Sequence, residues 1–441
     1  MRLLILAASA AVLAGCGSIA ELNPFGQKET ILTGDRSSVF STNEAMIRAG
    51  QGRAASVAPA RANAEWPQPG GNAQNAPGHL AFDGSGSRVW RAQVGGSVLS
   101  GLSFARGTIR ITAKPVVAGD RIFVYSPDGS VTALSAASGG KVWRTNLRPD
   151  GEGDPAPGGG VTVANGRVFV ATGYSEAVAL NAQNGKVIWR KDLFQPARGA
   201  PTAGAGKVFV VSQKNQVFAL NQSDGERAFE YSGIPEQAGL LAASSPAVSG
   251  DKVVIPYSSG EVMAFSVKSG EPTWQNFVVR PQRTLAVAGL NDVSGSPVID
   301  RGTVFATSVA GRTIAIDLAD GTKRWERNVG SAHTPTVSGD AVFVVDLADR
   351  MVALDRGSGQ TLWMTELPKP KRKRDDNYAG PLLAGGALWA VSNDGRLAKV
   401  DPASGQLVGD TTIGSSAYSA PIVAGGRMFI VSDAGEITAL R

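Results

Sequence analysis

Residues 161–189 read VTVANGRVFVATGYSEAVALNAQNGKVIW, and close variants of that stretch recur from about residue 115 to the C-terminus. They are PVVAGDRIFVYSPDGSVTALSAASGGKVW (115–143), PTAGAGKVFVVSQKNQVFALNQSDGERAF (201–229) and PAVSGDKVVIPYSSGEVMAFSVKSGEPTW (246–274). PVIDRGTVFATSVAGRTIAIDLADGTKRW (297–325), PTVSGDAVFVVDLADRMVALDRGSGQTLW (335–363) and PLLAGGALWAVSNDGRLAKVDPASGQLVG (381–409) complete seven full units. An eighth, PIVAGGRMFIVSDAGEITALR, runs from Pro421 to Arg441 and stops short. Spacings of 38 to 51 residues fall in the range of propeller blades.

Each unit reads as four short strands. The first opens with proline and small apolar residues, and proline is tolerated there because its missing N–H costs no ladder bond. A turn such as Gly119-Asp120 or Gly339-Asp340 leads to a second strand of the type Arg121-Ile122-Phe123-Val124-Tyr125. A further turn, Asp128-Gly129 or Asp394-Gly395, supplies the positive φ of a tight hairpin. The third strand ends in a recurrent Ala-Leu (Ala133-Leu134, Ala179-Leu180, Ala219-Leu220, Ala353-Leu354), and the fourth carries a tryptophan. Those tryptophans are Trp143, Trp189, Trp274, Trp325 and Trp363, with Phe229 and Gly409 in the same slot of two units. Recurrence at one place in the repeat predicts packing between neighbouring blades, not ligand stacking.

The eighth unit lacks its fourth strand, and Ser87-Arg88-Val89-Trp90-Arg91-Ala92-Gln93 is an orphan fourth strand near the other end. Pairing the two closes a ring and leaves no blade unfinished. The expected fold is all-β, an eight-bladed propeller over residues 63–441 whose last blade is closed by the N-terminal strand. Fifty-five glycines and a low charge content agree with that class.

The N-terminus sets the compartment. Met1-Arg2, the apolar run Leu3 to Val12 and Leu13-Ala14-Gly15-Cys16 form a signal peptide (1–15) too short to span a bilayer. Its last four residues resemble the lipobox of bacterial lipoproteins, which makes Cys16 the lipidation site. Cys16 is the only cysteine, so it has no disulfide or metal-ligand partner in the chain. Gly17 stands where an aspartate would favour inner-membrane retention in enteric bacteria, which points to the periplasmic face of the outer membrane. Residues 16–62 show no sustained periodicity and read as a tether, with a short helix around Thr42 to Arg48.

The signature Ala133-Leu134-Ser135-Ala136-Ala137-Ser138-Gly139-Gly140-Lys141-Val142-Trp143 resembles the tryptophan-docking repeats of pyrroloquinoline-quinone (PQQ) propellers, as does Trp66-Pro67-Gln68-Pro69-Gly70-Gly71-Asn72. Lipobox, tether and a single ring together resemble the BamB family, the propeller lipoproteins of the outer-membrane β-barrel assembly machinery. That resemblance implies a non-catalytic scaffold without a cofactor. Its partner would be the periplasmic repeat domains of the central barrel-assembly subunit, with unfolded outer-membrane proteins as a further class. It also implies a propeller that is monomeric within a hetero-complex. Two loops carry the implied partner-binding residues. Asp192-Leu193-Phe194-Gln195-Pro196-Ala197-Arg198-Gly199 matches the family's contacting loop at Asp192, Leu193, Arg198 and Gly199, with a longer middle that leaves Phe194 without a fixed counterpart. Leu290-Asn291-Asp292-Val293-Ser294-Gly295-Ser296-Pro297 resembles a second, acidic loop, matching at Asp292 but with Ser294 where another acid is expected.

The rival from another class is a PQQ-dependent dehydrogenase, which needs a cofactor floor, a Ca²⁺ site and a carboxylate base. One cysteine rules out the adjacent-cysteine disulfide of many such enzymes, and no ordered set of Glu, Asn and Asp stands out. A PQQ-like scaffold of another envelope complex is the other alternative. His79 reads as a solvated loop residue and His333 as a structural histidine at a blade start. No Gly-x-Ser-x-Gly elbow, phosphate loop or zinc-spaced cluster occurs. Lys369-Pro370-Lys371-Arg372-Lys373-Arg374 is a basic run in the connection between the sixth and seventh units. The exported compartment argues against nucleic acid as its partner, and leaves a solvated loop or a contact to acidic lipid or protein. The net charge of +6 is modest for the length.

Overall fold

Every repeat folds as a four-stranded antiparallel meander, and among the described residues eight such sheets form. The computed structural model describes residues 52–95, 111, 113–236, 244–278, 292–369 and 377–441. Cys16, Thr42 to Arg48, Leu290, Asn291 and residues 370–374 of the basic run lie outside them. Blade one comprises Val116–Ala118, Arg121–Tyr125, Ser130–Ser135 and Lys141–Asn146, and the later blades repeat it. Within a blade the second and third strands are almost wholly buried, whereas the fourth is exposed at alternate positions. That gradient is what radial packing requires, since the middle strands have sheets on both faces and the last one faces water.

The eighth blade is assembled from both ends of the chain. Ile422–Ala424, Arg427–Val431 and Glu436–Leu440 are completed by Arg88–Gln93, paired antiparallel from Arg88↔Leu440 to Gln93↔Glu436. The closure expected from the orphan strand is therefore present.

The fourth-strand tryptophans dock onto the next blade, and they do so by one rule. The indole N–H of Trp90 in blade eight donates to the carbonyl of Ala136 in blade one (3.2 Å). Trp143 donates to Ala182 (3.1 Å), Trp189 to Gln222 (3.1 Å) and Trp274 to Leu318 (2.9 Å). Trp325 donates to Arg356 (2.8 Å) and Trp363 to Pro402 (3.0 Å). Each acceptor lies in the turn between the third and fourth strands of the following blade. The same turn holds a glycine under the ring. At Gly405, φ is +74° and an added Cβ would come within 2.6 Å of Trp363, so geometry and space both demand glycine.

Gly409 in blade seven now has a reason. The following blade is the split one, so its third and fourth strands are joined by no turn, and a tryptophan at 409 would have nothing to dock on. The seam is filled differently. Phe82, just before the closing strand, meets Trp389 edge-on with centroids 5.7 Å apart, and Lys399 lies over the same indole at 5.0 Å.

Residues 52–62 do not belong to a free tether, contrary to the boundary expected at residue 62. The amides of Gly52 and Arg53 donate to the carbonyl of Leu362 (3.1 and 3.3 Å), and that of Ala55 to Ala403 (3.0 Å). From there one continuous segment reaches the innermost strand or adjoining turn of every blade. Ser56 exchanges hydrogen bonds with Asp340 of blade six. Asn63 holds Val423 and Gly425 of blade eight, and Trp66 pairs with Val117 of blade one through two backbone bonds (2.7 and 2.8 Å). Pro67 accepts from Val163 of blade two, and the Gln68 amide pairs with Ala203 of blade three. Ala73 accepts from Val248 of blade four, Gln74 from Ile299 of blade five, and Leu80 bridges Leu383 and Gly385 of blade seven. All these contacts fall at the end of the innermost strands that leads into the first turn. The segment 56–80 is thus a belt drawn across one end of the ring, and the Trp66–Asn72 motif is its middle.

His79 is a clasp in that belt, not a solvated residue. It is 8% exposed; its Nδ1 lies 2.7 Å from the carbonyl of Ala58 and its Nε2 accepts from the amide of Gly386 (3.0 Å). Both ring nitrogens are satisfied when the proton sits on Nδ1.

Candidate functional site

In an antiparallel meander the first and third turns lie at one end of the blade. The second turn and the link to the next blade lie at the other. The belt and all the tryptophan docking turns occupy the first end. The loop 192–199 and the described residues 292–296 of the second loop lie in inter-blade links and so share the second end.

The first loop starts where the outer strand of blade two, Val187–Asp192, finishes. Asp192 is exposed, and its Oδ1 accepts the amide of Phe194 (2.6 Å). This aspartate turn holds Phe194 at a φ of +58°, a conformation unusual for an aromatic residue. Phe194 is 78% exposed, the highest value among the large exposed apolar side chains of the described residues. Leu193 points the other way: it is 1% exposed, and it packs in the core cluster that includes Trp189, Ala197 and Val210. Its amide donates to Ser175 (2.7 Å). The loop then returns through Ala197, whose amide meets Thr172, and Arg198, whose amide meets Val211 (2.9 Å).

Arg198 and Asp292, assigned separately to two partner-binding loops, are in contact with each other. The Arg198 guanidinium forms an ion pair with the Asp292 carboxylate, and both side chains are almost completely buried. Arg198 also donates to the carbonyls of Pro256 (3.3 Å) and Val293 (3.4 Å). Burial pulls the Arg198 pKa down, and the adjacent carboxylate opposes that shift. The pair therefore ties the start of blade three to blade four and to the entry of blade five. Side chains buried to this degree offer nothing to a partner directly; they fix the floor on which Asp192 and Phe194 stand. Ser294, where a second acid was expected, is itself buried and bonds back to the Asp292 carbonyl (3.4 Å).

His333 stands just before the innermost strand of blade six, where its carbonyl accepts from Thr307 (2.9 Å). Burial, with Lys114 nearby, lowers its pKa to about 4, so the ring is neutral at pH 7. Burial likewise lowers Lys114 to about 8. Among the described residues no group of three or more His, Cys, Asp or Glu side chains is placed to hold a metal ion.

The ring is similar in shape to several solved propellers. BamB from Moraxella catarrhalis superposes with a TM-score of 0.68 at 18% identity, covering 80% of this chain and 99% of that one. The quinohemoprotein alcohol dehydrogenase of Comamonas testosteroni gives 0.67 at 14% identity, covering 91% and 83%. At such identities both establish the fold alone. Sequence relatives are more specific. The outer membrane protein assembly factor BamB of Vibrio cholerae is 38% identical over 251 residues, which span 57% of this chain and 62% of the relative. The Yersinia pestis protein of the same description is 28% identical over 339 residues, 76% of this chain and 83% of the relative. A family model described as outer membrane protein assembly factor BamB matches residues 76–160, 127–365 and 347–441. Those matches run through every blade, and the chain belongs to the BamB family of outer membrane protein assembly factors.

Proposed function

We propose that the ring is a scaffold anchored by a lipid on Cys16 at the periplasmic face of the outer membrane, where it binds the central barrel-assembly subunit through the loop end. As a BamB family member the chain is a non-catalytic assembly factor associated with the outer membrane and its assembly complex. The finer reading rests on one observation: an exposed aromatic, Phe194, held in a fixed conformation by Asp192 over buried Leu193 and the Arg198–Asp292 pair. Exposed aromatics on a rigid support are the residues that dominate protein interfaces, because little conformational entropy is lost on docking. The periplasmic repeat domains of the assembly subunit are the expected partner. A lipid on Cys16 followed by a tether would confine the ring near the membrane and raise the effective concentration of weak contacts.

The test is capture from detergent-extracted membranes with identification of what co-purifies. Wild type retains the assembly subunit, and Phe194→Ala loses most of it while the ring stays folded. Capture without any barrel-assembly subunit would remove the reading. A Cys16→Ser chain that still fractionates with the outer membrane would remove the anchor.

A further inference from the structure

Two positions just ahead of the repeating units break a pattern that the other blades keep. Immediately before the first residue of its unit, each of seven blades carries glycine, alanine, serine or threonine, and blade one carries Lys114. One position earlier, seven blades again have glycine, alanine or serine, and blade six has His333. Both positions belong to the approach to the innermost strands, which lie beside one another around the axis, so they stand on the inner wall at the loop end.

Lys114 and His333 act on each other across that axis. Blades one and six are separated by two blades in one direction and by four in the other. The Lys114 charge nevertheless bears on the His333 ring, which only a path across the ring allows. Both residues keep part of their surface accessible. Burial still lowers the pKa of each, to about 8 for Lys114 and about 4 for His333. Accessible surface on a desolvated group faces an enclosed space, not bulk water.

The two groups offer complementary chemistry. Among the described residues Lys114 has no hydrogen-bond or ion-pair partner, and no carboxylate offsets its desolvation. The His333 ring donates one N–H to the carbonyl of Tyr378 in blade seven. Its other nitrogen is unprotonated at pH 7 and is an acceptor. Beside it, the Thr334 hydroxyl accepts the amide of Ser296 (3.1 Å) and keeps its own proton to donate. An enclosed charge without a counter-charge is costly, and perturbed groups of this kind concentrate at binding sites.

We propose that this wall binds a small oxyanion that carries its own proton, the class to which inorganic phosphate belongs. Its charge sits against the Lys114 ammonium, and its hydroxyl donates to the second nitrogen of His333. The ligand joins blades one and six, which are not neighbours in the ring. The inference goes beyond the assembly-factor reading and needs no part of it.

The experiment is equilibrium dialysis of the full chain against labelled inorganic phosphate at pH 7, with ionic strength held constant by chloride. Wild type should bind phosphate saturably, and Lys114→Met should weaken that binding at least about tenfold. Sulfate has the charge but no proton at this pH, and should compete at least about tenfold more weakly than phosphate. His333→Phe should abolish that preference. Lys141→Met makes the same charge change on the exposed outer strand of blade one and should leave binding unchanged. Thermal midpoints report whether each variant folds, and Lys114→Gln replaces Lys114→Met if the latter does not. Absence of saturable binding, or undiminished binding by the folded Lys114 variant, would overturn the proposal. Equal competition by sulfate, a preference that survives His333→Phe, or equal loss in Lys141→Met would do the same.

Discussion

The two ends of the ring are held by different means. At the belt end, one segment of the chain bonds mostly through its backbone to the innermost strands of all the blades, and six indole N–H groups fasten six of the eight outer strands to the following turn. At the loop end the inter-blade links run separately, and the loop 192–199 and residues 292–296 meet through one buried ion pair beneath an exposed phenylalanine. Backbone bonds to many blades make a surface that changes only if the ring opens. Side-chain fastening concentrates dependence on a few residues and leaves the tips free to make contacts.

Breaking the loop end at its fastening should have the largest effect. Asp292→Ala leaves the Arg198 guanidinium buried without its counter-charge, and about 3–5 kcal/mol of stability should be lost in denaturant unfolding. Replacing both members by apolar residues, Arg198→Met with Asp292→Leu, should recover most of it. A single-variant loss below about 1 kcal/mol would mean that water reaches the guanidinium and that the pair is not the floor described. At the belt end, Asn75→Ala strips the donors from the carbonyls of Pro246 (3.1 Å) and Pro297 (3.0 Å), at a cost of about 1–3 kcal/mol. Because neighbouring belt bonds persist, local protection from hydrogen exchange at Val248 and Ile299 should change before that of distant blades. The smallest change in stability belongs to Phe194→Ala, within about 0.5 kcal/mol of wild type, since nothing in the ring leans on an exposed side chain. Stability lost there would show that the aromatic is a structural part and blunt the contrast between the ends.

The ring was legible because its information is periodic. Eight copies of one pattern, with a missing strand at one end and a spare one at the other, leave a single way to close. The docking tryptophans were legible for the same reason, and Gly409 was visible as a departure whose cause needed the split blade. The belt was not legible. Residues 52–80 have no period, and most of their bonds run from backbone to strands hundreds of residues away, which no side-chain pattern announces. The Arg198–Asp292 pair was half legible: both residues stood out, but as two contacts to a partner, because a separation of 94 positions hides that they face each other. Leu193 was assigned to the partner surface by resemblance, and its alternation with exposed Asp192 and Phe194 is the signal that could have placed it inward.

The split blade has a consequence for how the protein is made. Arg88–Gln93 is synthesised early, yet its partner strand Glu436–Leu440 follows only after seven other blades. Until then the first finished blades wait with an open seam, and a product that lacks Glu436–Leu440 never closes it. The ring therefore depends on its own completion: a chain cut before Glu436–Leu440 leaves Arg88–Gln93 without its partner strand and the seam open to misassembly.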